Sequence, residues 1–118
     1  MPHMHLETTA DLPENADIPD ILEALCGAIS RQSTVDPSNV RAYHSFRSVW
    51  HMGQGAPPSF VHLTVFVHTG RDMEWRSQLA DALMAVLNAR LSASLEAHEV
   101  SVTIDVREME RVCYRRIG

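Results

Sequence analysis

The order strand, helix, strand occurs twice along this chain, and that duplication constrains its fold more than any other feature. The clearest piece is Phe60-Val61-His62-Leu63-Thr64-Val65-Phe66-Val67-His68, where Val61, Leu63, Val65 and Val67 fall on one face and Phe60, His62, Thr64, Phe66 and His68 on the other. A strict period of two describes a half-buried strand. Thr69-Gly70-Arg71 turns the chain, and Asp72 stands where a helix cap belongs. Trp75, Leu79, Leu83, Val86, Leu87 and Leu91 then recur at helical spacing, which predicts a helix from 72 to about Ser94. Val100 to Val106, apolar on one face, completes the unit as a further strand.

The first half repeats that order. Met1-Pro2-His3-Met4-His5-Leu6-Glu7-Thr8 alternates apolar and polar side chains, and residues 10–16 form a polar connection. Asp17 is placed as an N-cap, and Ile18, Ile21, Leu22, Leu25 and Ile29 give one apolar helical face over about 18–32, weakened slightly by Gly27. A turn at 33–38 leads into a strand from Val40 to Arg47 with Arg41, Tyr43, Ser45 and Arg47 on one face. Trp50 to Ser59, which holds Gly53, Gly55, Pro57 and Pro58, joins the halves. The expected architecture is therefore α+β, a single domain over 1–118 with βαβ repeats at about 2–48 and 59–107 and a tail at 108–118. Two parallel crossovers merge into one four-stranded mixed sheet with both helices on one face. The other face, with Thr64, Phe66, Ser101, Thr103 and several histidines and arginines, reads equally as a solvated surface or an oligomer interface.

Composition narrows the function. At 118 residues and 45% hydrophobic the chain has enough apolar material for one core. A net charge of -5 argues against nucleic acid as a partner, and an anionic ligand would need arginines placed locally. No apolar run is long enough for a membrane helix, and a signal-peptide pattern is absent, so a cytoplasmic location with no membrane partner is expected. Cys26 and Cys113, in neither a C-x-x-C nor a zinc pattern, read as ordinary thiols. His3 and His5 stand two apart on one strand face, but the spacing supplies no third ligand and no metal is expected.

Pro2 has two readings. It can open an edge strand, where a missing N–H is harmless. Alternatively, removal of Met1 frees a secondary amine. A chain-terminal amine titrates at about 7.7 to 8, and desolvation lowers that value toward neutrality. An amine poised there can act as a general base. Arg41 and Arg71 likewise read either as surface cations, Arg71 lying in a strand-to-helix turn, or as forks matched to carboxylates.

Several pieces taken together resemble the 5-carboxymethyl-2-hydroxymuconate isomerase branch of the tautomerase superfamily, which includes 4-oxalocrotonate tautomerase and macrophage migration inhibitory factor. They are Met1-Pro2-His3, Ala16-Asp17-Ile18-Pro19, Arg41, Trp50 with Met52 and Gly55, and Phe60-Val61-His62-Leu63-Thr64 running to Gly70-Arg71, Glu74 and Arg76. The resemblance covers most of residues 2–106 and weakens in the tail. It implies a homotrimer with active sites near subunit boundaries and a cofactor-free enol-keto tautomerisation of an unsaturated 2-hydroxy di- or tricarboxylate. The foremost expectation is 5-carboxymethyl-2-hydroxymuconate in the catabolism of homoprotocatechuate. Residue by residue it implies Pro2 as the base, Arg41 and Arg71 as carboxylate ligands, and His62 as a structural neighbour. Arg47, Arg111, Arg115 and Arg116 read as solvated charges or additions to a polyanion pocket, and the basic tail is expected against a neighbouring subunit. Phenylpyruvate tautomerisation, decarboxylation, dehalogenation, or a noncatalytic trimeric binding module stand as alternatives.

Overall fold

The computed structural model describes residues 2–118; Met1, and with it the question of its removal, lies outside them. The elements are β1 (His3–Thr9), α1 (Ile18–Ser30), β2 (Arg41–Arg47), β3 (Ser59–His68), α2 (Met73–Arg90), α3 (Ser92–Glu96) and β4 (Val100–Met109). The sheet order is β2-β1-β3-β4, with β1 parallel to β2, β1 antiparallel to β3, and β3 parallel to β4. Each βαβ half thus forms a parallel pair, and the halves join through the two central strands. Leu6 lies opposite Leu63 at that seam.

Alternation sorts the sheet into two faces. Met4, Leu6, Val61, Leu63, Val65 and Val67 are buried beneath the helices, where they meet Ile21, Leu25 and Ile29 of α1 and Leu79, Leu83 and Leu87 of α2. The opposite face carries His3, His5, Glu7, His62, Thr64 and Phe66, all half-buried. Both helices therefore cover one side, as the duplicated pattern predicts. Burial of this apolar set supplies the main favourable term, at roughly 25 cal/mol for each Å² removed from water.

Three local expectations are corrected. Asp17 occupies the position before α1, but its side chain makes no capping bond, because a 3-10 turn over Pro13–Asp17 feeds directly into the helix. The second helix does not run unbroken to Ser94. It ends at Arg90, Leu91 leaves helical geometry (φ -109, ψ 17), and the chain resumes as α3. The Glu14 carboxylate explains the restart: it accepts from the Ser94 hydroxyl at 2.7 Å and from the Ser94 N–H at 3.4 Å. The last strand extends beyond Val106 to Met109, which carries the tail toward the start of β1. Asp72 does cap α2, its carboxylate accepting from the Trp75 N–H at 2.8 Å.

Candidate active site

The start of β1, the end of β3, the 34–39 turn and the beginning of the tail converge at one end of the sheet. Pro2, Thr34, Val35, Asp36, Asn39, His68, Arg71 and Arg111 enclose a cleft of about 190 Å³ there. The groove between α1 and α2 is larger, at about 790 Å³, but small residues such as Ala24, Gly27, Ala82 and Ala85 line it. Its charged lining residues, Asp20, Glu23, Arg31 and Arg90, are of mixed sign, and Pro2 does not border it. Pro2 borders the cleft at the sheet end instead.

Pro2 is buried, and its carbonyl accepts from the Arg41 N–H at 3.2 Å, so the first residue before β1 is fixed to β2. Arg71 is aimed by three contacts. Gly70, at φ +114, makes the sharp turn out of β3 that a side-chain-bearing residue resists. Arg71 then donates through Nε to Thr34 Oγ1 at 3.3 Å and through Nη2 to the Thr34 carbonyl at 3.1 Å. Its guanidinium carbon also stands 4.3 Å from the Trp75 ring centroid. Trp75 is held in turn by donation from its indole N–H to the Ser33 carbonyl at 3.2 Å. Thr34 is itself unusual: a β-branched residue at φ +68 is strained backbone.

Burial first, and then the neighbouring guanidinium of Arg111, depress the affinity of Arg71 for its proton. His68 is pushed below the ordinary imidazole range by burial and by Arg111 and Arg71, so it is neutral at pH 7. Its Nδ1 is buried and has no hydrogen-bond partner among the described residues, while its ring packs edge-on against Tyr114 at 4.7 Å between centroids. The Asp36 carboxylate is held low by hydrogen bonds from the Ser38 hydroxyl and N–H. The cleft therefore presents two guanidiniums, a neutral imidazole and one carboxylate already engaged.

Pro2 and Arg71 line the same cleft, whereas Arg41 and His62 stand elsewhere. Arg41 adjoins Pro2 through the backbone, but its side chain is exposed and does not line this cleft. Its charge reaches His3 instead, whose proton affinity falls through burial and then through Arg41. His62 lies well along β3, paired with Glu7, and its Nδ1 shares a 2.6 Å hydrogen bond with Thr103 Oγ1. His3 and His5 are engaged with Tyr114 Oη at 3.0 Å and Ser45 Oγ at 2.9 Å. No group of three or more metal-ligating side chains occurs among the described residues. Sequence reasoning missed Thr34, Asn39 and His68, and named Arg111 only as one of several arginines that were either solvated or additions to a polyanion pocket. The only available signal was the antiparallel pairing that sets the end of β3 beside the start of β1. The tail folds against its own chain: Arg111 Nη2 donates to the Thr69 carbonyl at 3.5 Å, and Arg116 Nη1 to Asn39 Oδ1 at 2.6 Å.

Paired βαβ units with helices on one face define the tautomerase class of fold. Solved structures sharing it include a symmetric trimer of a fused 4-OT, which is 22% identical with a TM-score of 0.70 over 93% of this chain and 87% of that one. A 5-carboxymethyl-2-hydroxymuconate isomerase from Deinococcus radiodurans R1 superposes with a TM-score of 0.88 at 28% identity, over 99% of this chain and 89% of that one. The Escherichia coli 5-carboxymethyl-2-hydroxymuconate Delta-isomerase is 22% identical over 92% of this chain and 87% of its own length. The chain belongs to the 5-carboxymethyl-2-hydroxymuconate isomerase family, whose profile matches residues 2–116. It is accordingly an enzyme of the isomerase class.

Proposed function

We propose that this enzyme is a cofactor-independent enol-keto tautomerase of an unsaturated 2-hydroxy di- or tricarboxylate, with 5-carboxymethyl-2-hydroxymuconate as its foremost substrate. The observation that carries the reading is the burial of Pro2 in a cleft shared with Arg71 and a second guanidinium. With Met1 removed, the Pro2 nitrogen takes the 2-hydroxyl proton, the electrons move into the diene, and the resulting prolinium returns a proton to carbon. Nearby cations disfavour a charged amine, so they keep the base neutral between turnovers. Of these, Arg71 also stabilises the dienolate as charge develops on oxygen. Arg71 holds a substrate carboxylate, and Arg41, anchored beside Pro2 on the outer face, provides a further cation near the cleft mouth. His62 serves the sheet through Thr103.

The names of the solved neighbours support a homotrimer, with the half-buried outer sheet face bearing Phe60 and Phe66 as the contact surface. Free Cys26 and Cys113 are compatible with a cytoplasmic enzyme, and no helix among the described residues is long and apolar enough to cross a membrane. The test is a pH-rate profile of protein lacking Met1, acting on a 2-hydroxymuconate-type dienol. The expected profile has an acidic limb, on which the rate falls with falling pH as an amine titrating near neutrality becomes protonated. Protein shown by mass spectrometry to retain Met1 is expected to lose nearly all turnover. Full activity in that protein contradicts the assignment of Pro2.

A further inference from the structure

The tail contributes the less expected wall of the cleft. Arg111 follows β4 in a short 3-10 turn (Arg111–Cys113), lines the cleft, and donates through Nη2 to the Thr69 carbonyl. Elsewhere the guanidiniums of Arg47, Arg76 and Arg107 lie against the carboxylates of Glu7, Glu108 and Asp105. Neither cleft arginine has an acidic partner among the described residues, and the cleft's own carboxylate, Asp36, is occupied by Ser38. Each guanidinium also has donors to spare. Arg71 spends Nε and one Nη2 proton on Thr34, while Arg111 makes one long bond to Thr69, out of five N–H groups in each fork. Arg71, half-buried, and Arg111, exposed, line the same hollow with no carboxylate between them, and an anion with two separated carboxylates can engage both at once.

We propose that Arg111 is the specificity-determining residue for a second, distal carboxylate: Arg71 binds the carboxylate beside the reacting enol, and Arg111 binds the far one. His68 lies on the wall with both, and its unpartnered Nδ1 supplies a polar contact to the intervening substrate oxygens without adding charge. This inference rests on the tautomerase reading of the cleft, and deepens it by assigning selectivity to the tail.

The experiment compares 2-hydroxymuconate, with two carboxylates, and the enol of phenylpyruvate, with one, in protein lacking Met1. Arg111→Gln is expected to raise KM for the dicarboxylate by about 10- to 100-fold, the loss of one charge-assisted pair, with kcat nearly unchanged and KM for the monocarboxylate within about twofold. Arg111→Lys restores part of that loss, and Arg71→Gln impairs both substrates. An equal effect of Arg111→Gln on both substrates, or no effect on either, overturns the proposal. Calorimetric binding of cis,cis-muconate and crotonate separates this failure from failure of the tautomerase reading. If neither enol is turned over, muconate binding at least about tenfold tighter than crotonate, with Arg111→Gln erasing the difference, supports the subsite. Equal binding of the two probes refutes it.

Discussion

At the residue scale, Thr34 concentrates the structure's local tension. Its left-handed backbone places both its carbonyl and its hydroxyl on Arg71, so a disfavoured conformation is exchanged for a fixed guanidinium. Strain of this kind, about 1 to 3 kcal/mol, persists where surrounding contacts over-determine it. Thr34→Val keeps the shape and loses the hydroxyl acceptor. It is expected to raise KM for a carboxylate substrate about three- to tenfold while leaving kcat close to its original value, as steady-state kinetics would show. Thr34→Gly relieves the backbone while enlarging the unfolded ensemble, two effects of about 1 kcal/mol each. Thermal denaturation should therefore show little net change in Tm for that variant. The position was illegible in the sequence. A threonine in a turn between helix and strand has no mark distinguishing it from its neighbours Ser33 and Ser38, and its importance arises only when α2 brings Arg71 alongside.

At the element scale, β3 carries the fold. It is the longer of the two central strands, Leu63 in its middle is fully buried, and it pairs with β1 on one side and β4 on the other. Leu63→Ala removes side-chain volume that the helices and flanking strands cannot refill. It should destabilise the protein by about 2 to 5 kcal/mol. Chemical denaturation is expected to show a lower midpoint with an unchanged slope, the signature of lost stability rather than of an altered unfolded state. The same strand shows why so much of the architecture could be read in advance. Alternation from Phe60 to His68 encodes both the strand and its buried face, and the strand's observed bounds differ by one residue. The interruption at Leu91 was not readable because its cause, the Glu14 carboxylate on Ser94, lies 80 residues away along the chain. Local periodicity reports what an element can be, whereas partners distant in sequence decide where it stops. The cleft obeys the same division. Pro2 and Arg71 carried chemical signals of their own and Arg111 only the generic one of a basic residue, whereas His68 became part of a site only through strand order.

At the scale of the whole molecule, three histidines tie stability to pH. His3, His44 and His68 all have proton affinities lowered chiefly by burial, with Arg41, His5 and the cleft arginines respectively adding to the effect. His44 also has a defined tautomer. The Thr8 hydroxyl donates to Asn15 Oδ1 at 2.7 Å, so the 2.7 Å contact with His44 requires its Nε2–H to donate to Thr8 Oγ1. A group with a depressed folded value favours the native state fully above the unfolded imidazole value of about 6.5, and that support is lost as pH falls through the folded values. Tm is therefore expected to decline below about pH 6.5, and His44→Gln, whose amide can still donate to Thr8, should show a shallower decline. The convergence of Pro2 with Arg111, Tyr114 and Arg116 at one end of the sheet also matters for anyone engineering the protein. A fusion partner or affinity tag joined ahead of residue 2 would cap the nitrogen proposed as the base, and a bulky graft beyond residue 116 would crowd the same opening. The solvent-facing connection at 51–58, at the far end of the sheet, is the place where foreign sequence can be inserted without obstructing that opening.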